Sequence, residues 1–134
     1  MVLDTSALLA ILFAEPERDQ LIDALAQARD PLISAATLVE ASIVMRARTG
    51  AEGVDDLDEL LAAAAVRTIA VDAAQAYLAR DAFARFGKGR SAAGLNFGDC
   101  FSYALAQATG QPLLFKGGDF GQTDVTPAVA GRPG

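Results

Sequence analysis

Pro31-Leu32-Ile33-Ser34 is a short apolar run closed by a hydroxyl, and the residues after it, from about Ala36 to Thr49, place apolar side chains at helical spacing until Gly50. A run this brief, followed at once by a helical pattern, reads as a strand buried on both faces with a helix crossing over it. The same unit recurs on either side. Met1 to Asp4 is strand-like and leads through Thr5 and Ser6 into a helix from Ala7 to about Ala14, with Ser6 as its cap. Glu15-Pro16-Glu17 interrupts that helix and starts a second one, to about Ala28. After Gly50, a C-cap signal, Gly53 to Ala65 reads as a helix with an acidic face, Arg67 to Val71 as a third strand and Ala73 to Phe86 as a fifth helix. Gly87 to Gly94 is a Gly-rich basic loop and the one candidate flexible segment. Asn96 caps a sixth helix, Phe97 to Thr109, ended by Gly110. Pro112 to Lys116 is a fourth strand, and Asp124 to Thr126 a short fifth. Strands alternating with helices predict an α/β fold: a three-layer αβα sandwich around a central, mostly parallel sheet of four to five strands. Residues 1–126 form a single domain in this reading, and the Pro- and Gly-containing tail from 127 to 134 is flexible.

Composition narrows the chemistry. There is no histidine among the 134 residues, which excludes histidine-based triads, histidine acid–base catalysis and histidine zinc sites. A single cysteine, Cys100, excludes disulfides within the chain and fits a reducing, cytoplasmic setting; it reads as a small core residue. The run from Ala7 to Ala14 is too short to span a bilayer and no basic leader precedes it, so no membrane partner is expected. Eleven basic against seventeen acidic residues give a net charge of −6, so nucleic acid could be held only through a local basic patch, a metal ion, or both.

Four acids fall where a parallel α/β sheet gathers its functional groups, beyond the carboxyl ends of the strands. Asp4 ends strand one, Glu40 lies in the helix after strand two, Asp99 in the first turn of the helix before strand four, and Asp119 just past strand four. Each has a bland explanation: Asp4 and Asp119 as turn residues, Asp99 as a helix-start acid, Glu40 as one half of a salt bridge to an arginine. Glu40 is the hardest to dismiss. Its wheel neighbours are Ile43, Val44 and Ala47, so it must be paired, protonated or bound to a metal. Asp99 points nearly opposite the stripe of Phe97, Phe101, Ala104, Leu105 and Ala108. Two carboxylates about 5 Å apart repel by roughly 3 kcal/mol at an effective dielectric of about 20. Four together need a cation, and an all-oxygen donor set suits Mg²⁺ or Mn²⁺.

Four stretches carry a family resemblance: Val2-Leu3-Asp4-Thr5-Ser6-Ala7-Leu8, Ser34-Ala35-Ala36-Thr37-Leu38-Val39-Glu40, Asn96-Phe97-Gly98-Asp99-Cys100 and Leu114-Phe115-Lys116-Gly117-Gly118-Asp119-Phe120. In this order, from Met1 to about Val125, they resemble the PIN-domain ribonucleases, and within them the VapC-type toxins of bacterial toxin–antitoxin pairs. The resemblance implies a PIN-like fold and a Mg²⁺- or Mn²⁺-dependent endoribonuclease. Asp4, Glu40, Asp99 and Asp119 would be its catalytic acids, with Asp4 and Asp99 as direct metal ligands and Glu40 and Asp119 acting directly or through water. Thr5 or Ser6 would hold Asp4 in place, and Asp124 matches a further family acid with a lesser role. It also implies an RNA substrate, a cognate VapB-like antitoxin and a homodimer. One departure stands out: similar sequences often carry Asn or Asp immediately before the fourth acid, and this chain carries Gly118, which implies weaker metal affinity.

Among the basic residues, Lys88, Arg90 and Lys116 are the best candidates for an RNA path, because they lie on loops near Asp99 and Asp119; Arg46, Arg48 and Arg85 read as surface charge. Gly87 to Ser91 lacks the spacing of a phosphate loop, and Asp55 to Glu59 lacks that of an EF-hand. Two other classes compete with the nuclease. One is a non-catalytic PIN-like module that binds RNA or protein, separable by metal titration. The other is a phosphoacceptor domain, which wants an Asp ending the central strand beside a lysine, a requirement Lys116 fits poorly.

Overall fold

The structure is a computed structural model and describes residues 1–129. Four strands, β1 (Val2–Leu3), β2 (Leu32–Ser34), β3 (Arg67–Ile69) and β4 (Leu113–Leu114), form one sheet in the order β3-β2-β1-β4. All pairings are parallel. Alternate residues face opposite sides of a strand, and the register lines them up. Val2 pairs with both Leu32 and Leu113, and all three belong to one core cluster. Leu3 pairs with Leu114, and both join Ile33 in the other cluster.

Helices α1 (Thr5–Leu12), α2 (Arg18–Gln27) and α3 (Ala35–Ala63) cover the Leu3 face. Helices α4 (Ala73–Phe86) and α5 (Phe97–Thr109) cover the Val2 face. The predicted three layers are therefore present. The apolar stripes of α1 and α2, carried by Ala7, Leu8, Ile11, Leu21 and Leu25, are core. No helix among the described residues is long and apolar enough to cross a membrane.

Several expected boundaries move. Helix α1 begins at Thr5, because Asp4 rather than Ser6 is its cap: the Asp4 carboxylate accepts the Ser6 N–H. Helix α2 starts at Arg18, past the Glu15-Pro16-Glu17 break. The two helices expected around Gly50 are both present within α3, separated by a kink at Gly50 itself (φ 69°, ψ −157°), a conformation that disfavours any residue with a Cβ. The fifth strand expected at Asp124–Thr126 shrinks to a single parallel bridge between Leu113 and Pro127. Proline has no N–H to extend a ladder, and Asp124 is engaged elsewhere. Leu113 donates to Thr126 O (2.9 Å) and Ala128 donates to Leu113 O (2.8 Å). Ala128 and Val129 pack on the core, and residues 130–134 of the expected tail lie outside the described residues.

The basic loop folds back on itself. Lys88 donates to Leu95 O and Leu95 donates to Phe86 O, both at 2.8 Å, while Ala93 and Leu95 are buried.

Candidate active site

The four acids reach one end of the sheet from four different elements. Asp4 follows β1 directly and is 2% exposed. Both of its oxygens are held: Oδ2 accepts from Ser6 N (3.0 Å) and Ser6 Oγ (2.6 Å), and Oδ1 accepts from Ser102 Oγ (2.6 Å). Ser6 Oγ in turn accepts from the Lys116 N–H (3.0 Å), which ties the Asp4 turn to the end of β4.

Glu40 projects from the second turn of α3 and is half-buried. Among the described residues no arginine pairs with it. Its partner is Thr5, whose hydroxyl donates to Glu40 Oε1 at 2.5 Å. Thr5 therefore holds Glu40 and not Asp4, and Ser6 alone fills the role that the resemblance gave to either. The apolar neighbours of Glu40 are not core: Val39 is 57% and Ile43 63% exposed. Glu40 Oε2 lies over Gly98, where an added Cβ would stand 1.7 Å from it.

Asp99 closes a capping box with Asn96 at the start of α5. Its N–H donates to Asn96 Oδ1 (2.9 Å), and its Oδ2 accepts from Asn96 N (3.0 Å). Its carboxyl is pushed up to about 6, first by burial and then by the charges of Asp4, Glu40 and Asp119, against the pull of the Asn96 N–H. The three other acids thus all act on Asp99. Asp119 is exposed at the start of a short 3₁₀ turn, Phe120–Gln122, and its side chain caps nothing.

No lysine or arginine forms a salt bridge with any of these four acids among the described residues. An all-oxygen cluster of acids without a counter-ion has the character of a site for a hard divalent cation. As they stand, no three acidic or thiol groups among the described residues are close enough to hold one ion. Asp4 spends both oxygens, and Glu40 and Asp99 one each, on protein donors.

The remaining expected site residues fall differently. Asp124 stands apart from the four. It accepts from Tyr103 Oη (2.6 Å), Gln107 Nε2 (3.1 Å) and Arg85 Nη2 (3.3 Å), and the Tyr103 phenol, with Arg85, holds its carboxyl below the usual range. The Lys116 ammonium pairs with Glu15 and Glu17, and Glu15 holds it charged. Lys88 and Arg90 are exposed, with the Arg90 guanidinium 5.9 Å from the Phe83 ring centroid. Cys100 is buried as expected, and burial pushes its thiol up to about 11.

Helix α5 also departs from its predicted stripe. Phe97 is 79% exposed and Ala108 is exposed, while Cys100, Ser102 and Tyr103 are buried. Helix α5 packs against the sheet, α3 and α4. Four residues that shape the site went unread: Ser102, Thr37, Asn96 as an acid's partner, and Gly98. Ser102 lies one turn past Asp99 on the same helix, and a glycine in a first helical turn signals close approach; both signals were available.

The family model for the PIN domain matches residues 1–125. The chain is 54% identical over 125 residues to a ribonuclease VapC of Mycolicibacterium smegmatis, covering 93% of this chain and 97% of that one. It is 50% identical to ribonuclease VapC30 of Mycobacterium tuberculosis, covering 93% and 95%, and 46% identical to ribonuclease VapC28 of the same organism, covering 98% and 100%. The crystal structure of Mycobacterium tuberculosis VapC20, described as a sarcin-ricin loop cleaving toxin, superimposes with a TM-score of 0.76 at 19% identity, over 93% of this chain and 95% of that one, and so supports the fold. With its fold, its ordered motifs and these relatives in agreement, the chain belongs to the PIN-domain family and, within it, to the VapC ribonucleases.

Proposed function

We propose that this VapC ribonuclease is the metal-dependent endoribonuclease toxin of a toxin–antitoxin pair, with Asp4, Glu40, Asp99 and Asp119 as its catalytic acids. The observation that carries this reading is the grouping of four acids from four elements at one end of the sheet, with no salt bridge from a lysine or arginine to any of them among the described residues and with Asp4, Glu40 and Asp119 all pushing the Asp99 carboxyl upward. Asp4 and Asp99 would hold Mg²⁺ or Mn²⁺ directly, and Glu40 and Asp119 directly or through water. A bound divalent ion supplies positive charge beside the scissile phosphate, where it polarises a phosphoryl oxygen and offsets charge on the departing one.

The chain's own residues do the positioning. Ser6 keeps Asp4 turned toward the end of the sheet. Thr5 fixes one oxygen of Glu40 and leaves the other free to accept a hydrogen bond from the attacking water. In-line attack forms the bond from water oxygen to phosphorus and breaks the bond from phosphorus to the 3′ oxygen. The water proton passes to Glu40 or Asp119 and then to solvent, and the 3′ oxygen takes a proton from solvent. The products are a 5′-phosphate and a 3′-hydroxyl. Lys88 and Arg90 would meet the RNA backbone.

A VapB-like antitoxin and a second copy of the chain are the proposed protein partners, in the cytoplasm. Uncovered Val39, Ile43 and Phe97 beside Glu40 support a protein-binding face there. The test is RNA cleavage after chelation and Mg²⁺ add-back, with Asp4→Ala and Asp99→Ala. Outer partners of metal ligands cost 10–100-fold when removed, so each of these variants is expected to lose at least about 100-fold. Cleavage at the wild-type rate by either variant, or in chelator, overturns the assignment.

A further inference from the structure

We propose that Ser102 is a positioning residue for ion capture, fixing the Asp4 carboxylate through a directed chain of hydroxyls that begins at Thr37. The inference rests on reading the four acids as a divalent-ion site.

Ser102 is fully buried on α5, and Thr37 is buried on α3. Their hydroxyl oxygens are 3.1 Å apart, with either able to donate. Ser102 Oγ also lies 2.6 Å from Asp4 Oδ1. An ionised carboxylate only accepts, and a serine hydroxyl has one proton. That proton goes to Asp4, so Thr37 must donate to Ser102. The order is Thr37 to Ser102 to Asp4, and a chain aligned this way strengthens each bond.

The consequence lies in the second oxygen. Ser6 supplies both donors to Oδ2, and among the described residues Ser102 supplies the one donor to Oδ1. Ser6 alone would leave the carboxylate free to pivot about Oδ2. With Ser102 in place, the carboxylate plane is fixed before any ion arrives, and the unused lone pairs keep one direction. The chain also joins β1, α3 and α5, the elements that carry or immediately precede three of the four acids.

The experiment is Mn²⁺ titration by calorimetry on the ion-free full-length protein, together with thermal unfolding with and without saturating Mn²⁺. Wild type is compared with Ser102→Ala and Thr37→Val. Loss of an outer partner predicts Mn²⁺ affinity weakened roughly 10–100-fold in Ser102→Ala, with a smaller loss of the same sign in Thr37→Val. The rise in Tm produced by Mn²⁺ shrinks correspondingly. A purely structural role would lower Tm equally with and without Mn²⁺ and leave that rise intact. Wild-type Mn²⁺ affinity and an intact rise in Ser102→Ala overturn the inference alone. Absence of Mn²⁺ binding by wild type overturns the ion site, and the inference with it.

Discussion

Gly98 and Glu40 share one space: a Cβ on residue 98 would lie 1.7 Å from Glu40 Oε2 and 2.5 Å from its Cδ. The obstructing atoms are the far end of a flexible side chain, so Gly98→Ala is expected to fold, helped by alanine's helix preference of about 1 kcal/mol over glycine. The carboxylate must then swing off Thr5. RNA cleavage should fall at least about tenfold while circular dichroism stays native. An unchanged cleavage rate would show that Glu40 acts from some other position.

The charge on Asp99 works against the ion-free fold. Its carboxyl stands at about 6 in the folded chain, above its ordinary value of 3.8. The folded state therefore binds the proton more tightly, and stability from this group falls as pH rises from about 4 through about 6. Asp99→Asn removes the charge and can keep the bond to Asn96 N. In chelator at about pH 7.5 its Tm should exceed that of wild type, with the advantage lost as pH drops below about 6. A variant no more stable than wild type at the higher pH contradicts the crowding of acids around Asp99.

The strands were legible because each is a short apolar run with turn chemistry at its ends, and Asp4 and Asp119 were placed by following those runs to their carboxyl ends. What periodicity could not give was which helical residues stay uncovered. Phe97, read as part of the α5 stripe, is exposed, and so is Ile43, while Ala41, Met45 and Cys100 on the same two helices are buried. Nor could spacing along the chain give partners across it. Ser102 and Asp4 are 98 residues apart, and only the packing of α5 over β1 brings them together. Lys116 illustrates the same point: its loop lies where expected, but Glu15 and Glu17 come from a distant stretch of the chain and pair with its ammonium.

Asp124 is tied to α4 and α5 through Arg85, Tyr103 and Gln107, so its expected role is in the fold. Tyr103 is buried and its hydroxyl donates to Asp124 at 2.6 Å. Tyr103→Phe should cost about 1 kcal/mol of stability by denaturant unfolding. Neither it nor Asp124→Ala should alter Mn²⁺ affinity. A weakened Mn²⁺ titration in Asp124→Ala would return this acid to the site.

Lys88 and Arg90 should separate from Lys116 in RNA binding. Each phosphate contact to a single strand contributes about 0.7 to the slope of log affinity against log salt. Lys88→Ala and Arg90→Ala should each reduce that slope by about this amount, whereas Lys116→Ala should leave it nearly unchanged. Equal effects from all three would mean that the RNA displaces Glu15 and Glu17.

The sheet order β3-β2-β1-β4 puts the first strand to be synthesised next to the last. Asp4 emerges from the ribosome early, but Ser102, Asp99 and the backbone of Lys116 follow about a hundred residues later. Asp4 therefore gains its Ser102 partner, and the Asp4 turn its tie to the end of β4, only when nearly all of the domain has been translated.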